Sequence, residues 1–267
     1  MRRLLLLLSL LLTVPAVADE PPPDLHKLAP ALPTFRPKPQ APLAPPPADP
    51  RDLNGTWWLT VTNPELTPMG SSDRPPFTPA GAAIFWHRIE MNNLGTPVPD
   101  AAVMCRPMGP RVLTSPYPQE ILQTPDRIVF IFEEHHVVQQ VYMNASHPSD
   151  LKPSYMGHSV GHWEGDTLVV DSIGFNDRTW LDAGGTPHSG QLHLVQRIRK
   201  HGGTLEEQVT VTDPVMFSRP WTYQLILEWR PDTTIDEMIC ESNMHDAQMQ
   251  MADKDWTIDD ARRSLKK

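Results

Sequence analysis

Residues 157–175 read GHSVGHWEGDTLVVDSIGF, and this stretch decides the fold. Two β-rich runs, His158–Trp163 and Thr167–Phe175, flank Glu164-Gly165-Asp166. Glycine in so short a connection allows the positive φ that tight hairpin turns need. The runs are short and rich in Val, Ile, Thr and Trp, which suit a pleated, half-buried surface. The spacing predicts an antiparallel hairpin.

The same pattern repeats on both sides. Upstream, Gln119–Gln123, Arg127–Glu133 and His136–Met143 read as strands, with Thr124-Pro125-Asp126 as a turn. Further upstream, Asn54-Gly55-Thr56 leads into Trp57–Thr62 as a first strand. Downstream, Gln191–Lys200 and Thr204–Thr212 are joined by His201-Gly202-Gly203, and Trp221–Trp229 and Asp236–Cys240 follow. Trp221, Tyr223, Leu225, Leu227 and Trp229 share one face of their strand, the period of a sheet with one apolar side. No helix-length segment separates these runs, so parallel crossovers are not expected. The reading is mainly β: an antiparallel meander closing into a calycin- or lipocalin-like barrel or half-barrel. A two-sheet β-sandwich is the alternative. One short helix precedes most of the strands. Thr78 supplies its N-cap and Pro79 its first position, and Ile84, His87 and Met91 share a face over roughly 79–92.

The flanking segments differ in kind. Residues 1–18, MRRLLLLLSLLLTVPAVA, read as a secretory signal peptide: two arginines, a short apolar run and an Ala-Val-Ala cleavage site. Residues 19–52 hold twelve prolines and read as a disordered, partly polyproline tether. Residues 53–243 form the single β-rich domain, and 244–267 a polar tail that is partly helical. Losing Arg2 and Arg3 with the signal takes the net charge from −9 to −11. An acidic chain argues against nucleic-acid binding, and without a second long apolar run no membrane insertion is expected after signal removal. The expected location is periplasmic or secreted. Cys105 and Cys240 are the only cysteines, and in an oxidising compartment they suggest one disulfide; two unpaired buried thiols are the alternative.

The stretch SVGHWEGDTLVVDSIGFNDRTWLD, followed by GGTPHS, resembles a set of exported bacterial proteins that mostly lack an assigned function. Their shared pattern is a Gly-Trp-Glu-Gly-Asp hairpin, a strand, and a Gly-Phe-Asn loop ending in Pro-His-Ser. The resemblance extends through Arg111, Pro116-Tyr117-Pro118, Gln123-Thr124-Pro125 and His147-Pro148. Downstream it takes in Asp213-Pro214, Pro220-Trp221, Glu237 and Cys240-Glu241, so that it covers roughly residues 54–243. His135-His136 and Gln139-Gln140 depart from it, standing where the pattern has mixed aromatic and arginine positions. The resemblance implies an exported β-rich domain and no particular reaction.

The residues that can carry chemistry concentrate in 175–189. His188 follows Pro187 and has Asp177 and Asp182 nearby in sequence; a histidine oriented by a carboxylate is the general-base arrangement. The competing reading gives both acids to turn capping and His188 to a backbone carbonyl. Trp180 can stack on a planar ligand or fill the core. Asn176, Arg178, His147 and Arg111 complete the candidate ligand-binding set, the arginines pairing either with a ligand carboxylate or with the protein's own acids. No HExxH, CxxC, GxSxG, dinucleotide or phosphate-loop motif is present, so no metal and no cofactor is expected. Three functions follow. The first is binding of a small apolar or aromatic molecule, with loop 175–189 at the pocket mouth. The second is a cofactor-free lyase, isomerase or hydrolase using His188 as acid/base. The third is a structural envelope module.

Overall fold

The computed structural model describes residues 32–33, 42–62, 66–71, 73–238, 240 and 255–266. The expected signal peptide and most of the proline-rich stretch lie outside these residues. Eleven strands run in chain order: β1 (Leu32–Pro33), β2 (Gly55–Leu59), β3 (Val61–Thr62), β4 (Gln119–Gln123), β5 (Arg127–Phe132), β6 (Val138–Met143), β7 (His158–Glu164), β8 (Thr167–Ile173), β9 (His193–His201), β10 (Thr204–Thr212) and β11 (Trp221–Trp229). Helix α1 spans Pro79–Asn93 and helix α2 Ile258–Ser264. Nine strands close into one barrel in the order β10-β11-β2-β4-β5-β6-β7-β8-β9, while β1 pairs with β3 apart from it. The protein is therefore a barrel, and the sandwich alternative falls.

The hairpin that decides the fold forms as expected. Strands β7 and β8 pair from His158↔Ile173 to Glu164↔Thr167, and Gly165 takes a φ of 58° at the turn. Closure comes from the last strand meeting the first, with Leu227↔Leu59 and Trp229↔Trp57 in register. Gly55 makes this possible: the Trp229 ring occupies the place a Cβ would take, at 2.4 Å.

Three local expectations are corrected. First, β6 and β7 pair in parallel, Val141↔Ser159, in an otherwise antiparallel barrel. Their connection, residues 144–157, is long enough to return the chain without a helix. It is pinned by Asn144 N–H to the Gly161 carbonyl at 2.7 Å and Ser154 N–H to the Gly174 carbonyl at 3.0 Å. Second, His136 does not begin a strand. Residues Glu134–His136 form a 3-10 turn in which His135 and His136 adopt φ of 57° and 48°. Third, Asp236–Met238 is not a strand. It runs along that turn, with Asp236 N–H donating to Glu133 Oε2 at 3.1 Å and Met238 N–H to His136 Nε2 at 3.0 Å.

Alternation along β9, β10 and β11 turns Leu194, Ile198, Leu205, Val209, Trp221, Tyr223, Leu225 and Leu227 inward, together with Trp57, Ile121 and Phe130 from β2, β4 and β5. A polar seam crosses this apolar interior. Gln139 Nε2 donates to Gln196 Oε1 at 2.8 Å and Ser159 Oγ at 3.2 Å, and Gln196 Nε2 donates to Glu207 Oε1 at 2.9 Å. Gln139 is on β6 and Gln196 on β9, with two strands between them, so their bond spans the lumen. Burial pushes the Glu207 carboxyl up to about 7, against the favourable Gln196 bond, and burial beside Glu207 raises Tyr223 well above its ordinary value.

The outer layers position the site. Thr78 Oγ1 accepts from Gly81 N–H at 3.1 Å, and Pro79 opens α1, as the sequence predicts. The buried residues are Gly81, Ile84, Phe85 and Arg88, so that of the face shared by Ile84, His87 and Met91 only Ile84 is fully buried. Gly81 lies so close to the Met216 carbonyl that a Cβ there would meet it at 2.3 Å. The end of the proline-rich stretch lies on the barrel instead of hanging free. Trp229 Nε1–H donates to the Ala44 carbonyl at 2.8 Å, and Lys200 Nζ donates to the carbonyls of Pro47, at 2.7 Å, and Asp52. Cys105 and Cys240 form a disulfide. Among the described residues no helix is long and apolar enough to cross a membrane.

Candidate functional site

Loop 174–192 joins β8 to β9 and folds back on itself. Trp180 and Pro187 form an antiparallel bridge, and Leu181 N–H reaches the Thr186 carbonyl at 2.9 Å. Asp182 ties the fold-back together. It accepts from Thr186 N–H at 2.9 Å, Thr186 Oγ1–H at 2.6 Å and Leu66 N–H at 2.8 Å, and is 0 % exposed. Burial pushes its carboxyl up, against the pull of these bonds. Asp182 is thus a turn staple that also anchors the segment around Leu66.

His188 is 3 % exposed and bonded at both ring nitrogens. Thr179 Oγ1 lies 2.7 Å from Nε2, and the Ser189 carbonyl 3.2 Å from Nδ1. The carbonyl accepts only, so Nδ1 carries the proton and Nε2 accepts from the threonine hydroxyl. Burial lowers the imidazole to about 4, so the ring is neutral at ordinary pH. Neither Asp182 nor Asp177 bonds to it, and the expected carboxylate-oriented arrangement is not formed. The carboxylate behind this segment is Asp213, which sequence reasoning did not assign. Its oxygens accept from Ser189 N–H at 2.6 Å and Ser189 Oγ–H at 2.8 Å, and from Val215 N–H at 3.1 Å. In the sequence Asp213-Pro214 figured only as part of the resemblance, with no role attached.

These contacts shape a cleft of about 390 Å³. Asp177, Arg178, Thr179, Trp180, Pro187 and His188 form one side. Ile84 and Arg88 of α1, the 99–106 segment, Met216 and Asp255–Ile258 form the rest. None of these residues belongs to a barrel strand, so the cleft lies outside the lumen. The expected polar loop does border a pocket, and no barrel-strand residue lines that pocket. Arg88 organises the wall. Its Nε donates to Asp255 Oδ2 at 3.0 Å, its Nη1 to the Gly185 carbonyl at 2.6 Å, and its guanidinium lies 4.8 Å from the Trp180 ring centroid. Trp256 enters beside it, stacked on His87 with ring centroids 4.2 Å apart. Arg88, Arg106, Asp255 and Trp256 were not legible as site residues, because helix α1, the 99–106 segment and the tail meet the loop only in three dimensions. A second cavity, of about 270 Å³, sits where residues 66–71 cross β11.

The other predicted residues lie elsewhere. Asn176 Oδ1 accepts from Arg178 N–H at 3.1 Å and shapes the turn. Arg111, on the 3-10 turn Gly109–Thr114, is ion-paired with Asp100, and burial lowers its guanidinium. His147 joins a cluster on strands β7 to β9. Its Nε2 is 2.9 Å from Asp171 Oδ1, its Nδ1 2.9 Å from His158 Nδ1, and His193 Nε2 is 2.8 Å from Asp171 Oδ2. Burial lowers the His158 ring, while bonds from His193 and His147 outweigh burial and lower Asp171. Among the described residues no group of three or more His, Cys, Asp or Glu can hold a metal ion.

Fold and site together define a closed nine-stranded β-barrel with a cleft built against it by a loop, a helix and the chain's tail. No family model, no curated protein and no solved structure matches the chain.

Proposed function

We propose that this protein binds a small apolar or aromatic molecule in the cleft beside loop 175–189, and that it does so as an exported, periplasmic or secreted barrel. The observation that carries the reading is the cleft itself. Its volume of about 390 Å³ falls within the range of small-molecule sites, and Trp180, Trp256, Met104 and Met216 line it among a few charged groups. The lumen serves less well as a binding chamber, because core side chains and the Gln139–Gln196–Glu207 seam lie within it. Export accords with the signal-like residues 1–18 and with the Cys105–Cys240 disulfide. The hairpin-and-loop motif at 157–189 is offered as the signature of a group of such exported barrels.

Catalysis by His188 is the less favoured reading. A general base needs a free nitrogen aimed at substrate, and both of its nitrogens are engaged within the protein. Native mass spectrometry of the protein purified from its export compartment tests the binding reading. A small-molecule adduct is expected on the wild type and absent from Trp180→Ala. An adduct that persists in Trp180→Ala contradicts the proposed location.

A further inference from the structure

The charges of the cleft are unequal in a way the chain's composition does not suggest. Five charged side chains line it: Arg88, Arg106, Asp177, Arg178 and Asp255. Arg88 and Asp255 neutralise each other through the contacts described above. His188 adds no charge, being neutral. That leaves Arg106 and Arg178 against Asp177. Both arginines are exposed, and neither has a carboxylate partner among the described residues. The cleft thus carries an excess of one positive charge in a chain whose net charge is −9. A concave, partly apolar wall concentrates such a field on what enters it. A guanidinium offers a planar fork matched to a carboxylate or sulfonate, and two on one rim favour an anionic head group over a neutral one. The opposite requirement comes from Trp180 and Trp256, which line the cleft with Arg88 and His87 each covering one face of a ring, an apolar aromatic border that suits a flat aromatic body.

We infer that the ligand of this cleft is an aromatic acid, its ring system held against Trp180 and Trp256 and its anionic group by Arg106 and Arg178. The inference rests on the reading of the cleft as a ligand site and names the class of molecule that site selects.

A pair of fluorescent probes tests it. 8-Anilinonaphthalene-1-sulfonate and N-phenyl-1-naphthylamine share one ring skeleton and differ by the sulfonate. Titrated into the mature protein, the sulfonate is expected to bind about tenfold more tightly. The double substitution Arg106→Gln with Arg178→Gln should remove that advantage and leave the neutral probe unchanged; both side chains are exposed, so folding is not at stake. Trp180→Ala should weaken both probes. Equal binding of the two probes, still sensitive to Trp180→Ala, overturns the anionic preference and leaves the cleft as a site. An advantage for the sulfonate that survives the double substitution likewise overturns the role of the two arginines. Failure of both probes to bind, or indifference of both to Trp180→Ala, overturns the cleft reading and this inference with it.

Discussion

Asp182 and Glu207 are both buried carboxyl groups, and they differ in what they hold. Asp182 accepts three bonds, two from backbone N–H groups with no other partner described. Asp182→Ala strands those donors in the interior and should cost about 3–5 kcal/mol, read from urea denaturation. A loss under 1 kcal/mol would show that water replaces the carboxylate. Glu207 has one neutral donor, Gln196, and its carboxyl is pushed up to about 7. A group raised in the folded state stabilises fully below its unfolded value, near 4.5, and that stability is lost as pH rises through the folded value. The wild type should therefore lose about 3 kcal/mol between pH 4.5 and 8. Glu207→Gln should be flat across that window on this account, and more stable than wild type at pH 8. Parallel pH profiles for the two proteins would remove Glu207 as the cause. Residue identity alone showed Asp182 as a turn former. Glu207 shares the face of β10 that carries Leu205, Val209 and Val211, so alternation alone turns it inward, while its Gln196 partner comes from the neighbouring strand.

Elements were legible where their signals are local. The Glu164-Gly165-Asp166 turn, the Thr78-Pro79 start of α1 and the alternation of β11 each lie within a few residues of chain. The turn at Glu134–His136 was missed because two non-glycine residues adopt positive φ, which composition does not announce. The burial of Arg88 on α1 was not legible because its carboxylate partner, Asp255, stands 167 positions away. The tail shows the same dependence on distant partners. Helix α2 is locally encoded by a capping box between Thr257 and Asp260, yet its role as a cleft wall depends on α1. A chain ending at residue 254 should keep the far-ultraviolet circular dichroism of the barrel while losing most of its affinity for the sulfonate probe. Unchanged affinity would remove Trp256 from the site.

At the scale of the molecule, the barrel was foreseen from the count of strands and the shortness of their turns, but its closure was not specified. Pairing of β11 with β2 and the parallel pairing of β6 with β7 are long-range choices that no single window of sequence contains. The site follows the same rule. Loop 175–189 was visible as a cluster of polar residues, whereas the cleft exists only because the loop, α1, the 99–106 segment and the tail converge. The disulfide constrains this assembly globally. It links residues 135 positions apart, for which loop entropy sets an upper contribution of about 5 kcal/mol. Cys105→Ser with Cys240→Ser should lower the unfolding free energy read from urea denaturation by an amount within that bound, and reductant should do the same to the wild type.

On the proposed reading, ligand binds beside the barrel and not within it. Indole NMR signals of the eight tryptophans read this directly during titration with 8-anilinonaphthalene-1-sulfonate. The Trp180 and Trp256 signals should move while those of Trp57 and Trp221, buried in the core, stay in place. Movement of Trp57 or Trp221 with Trp180 and Trp256 unchanged would put the ligand in the lumen and contradict it.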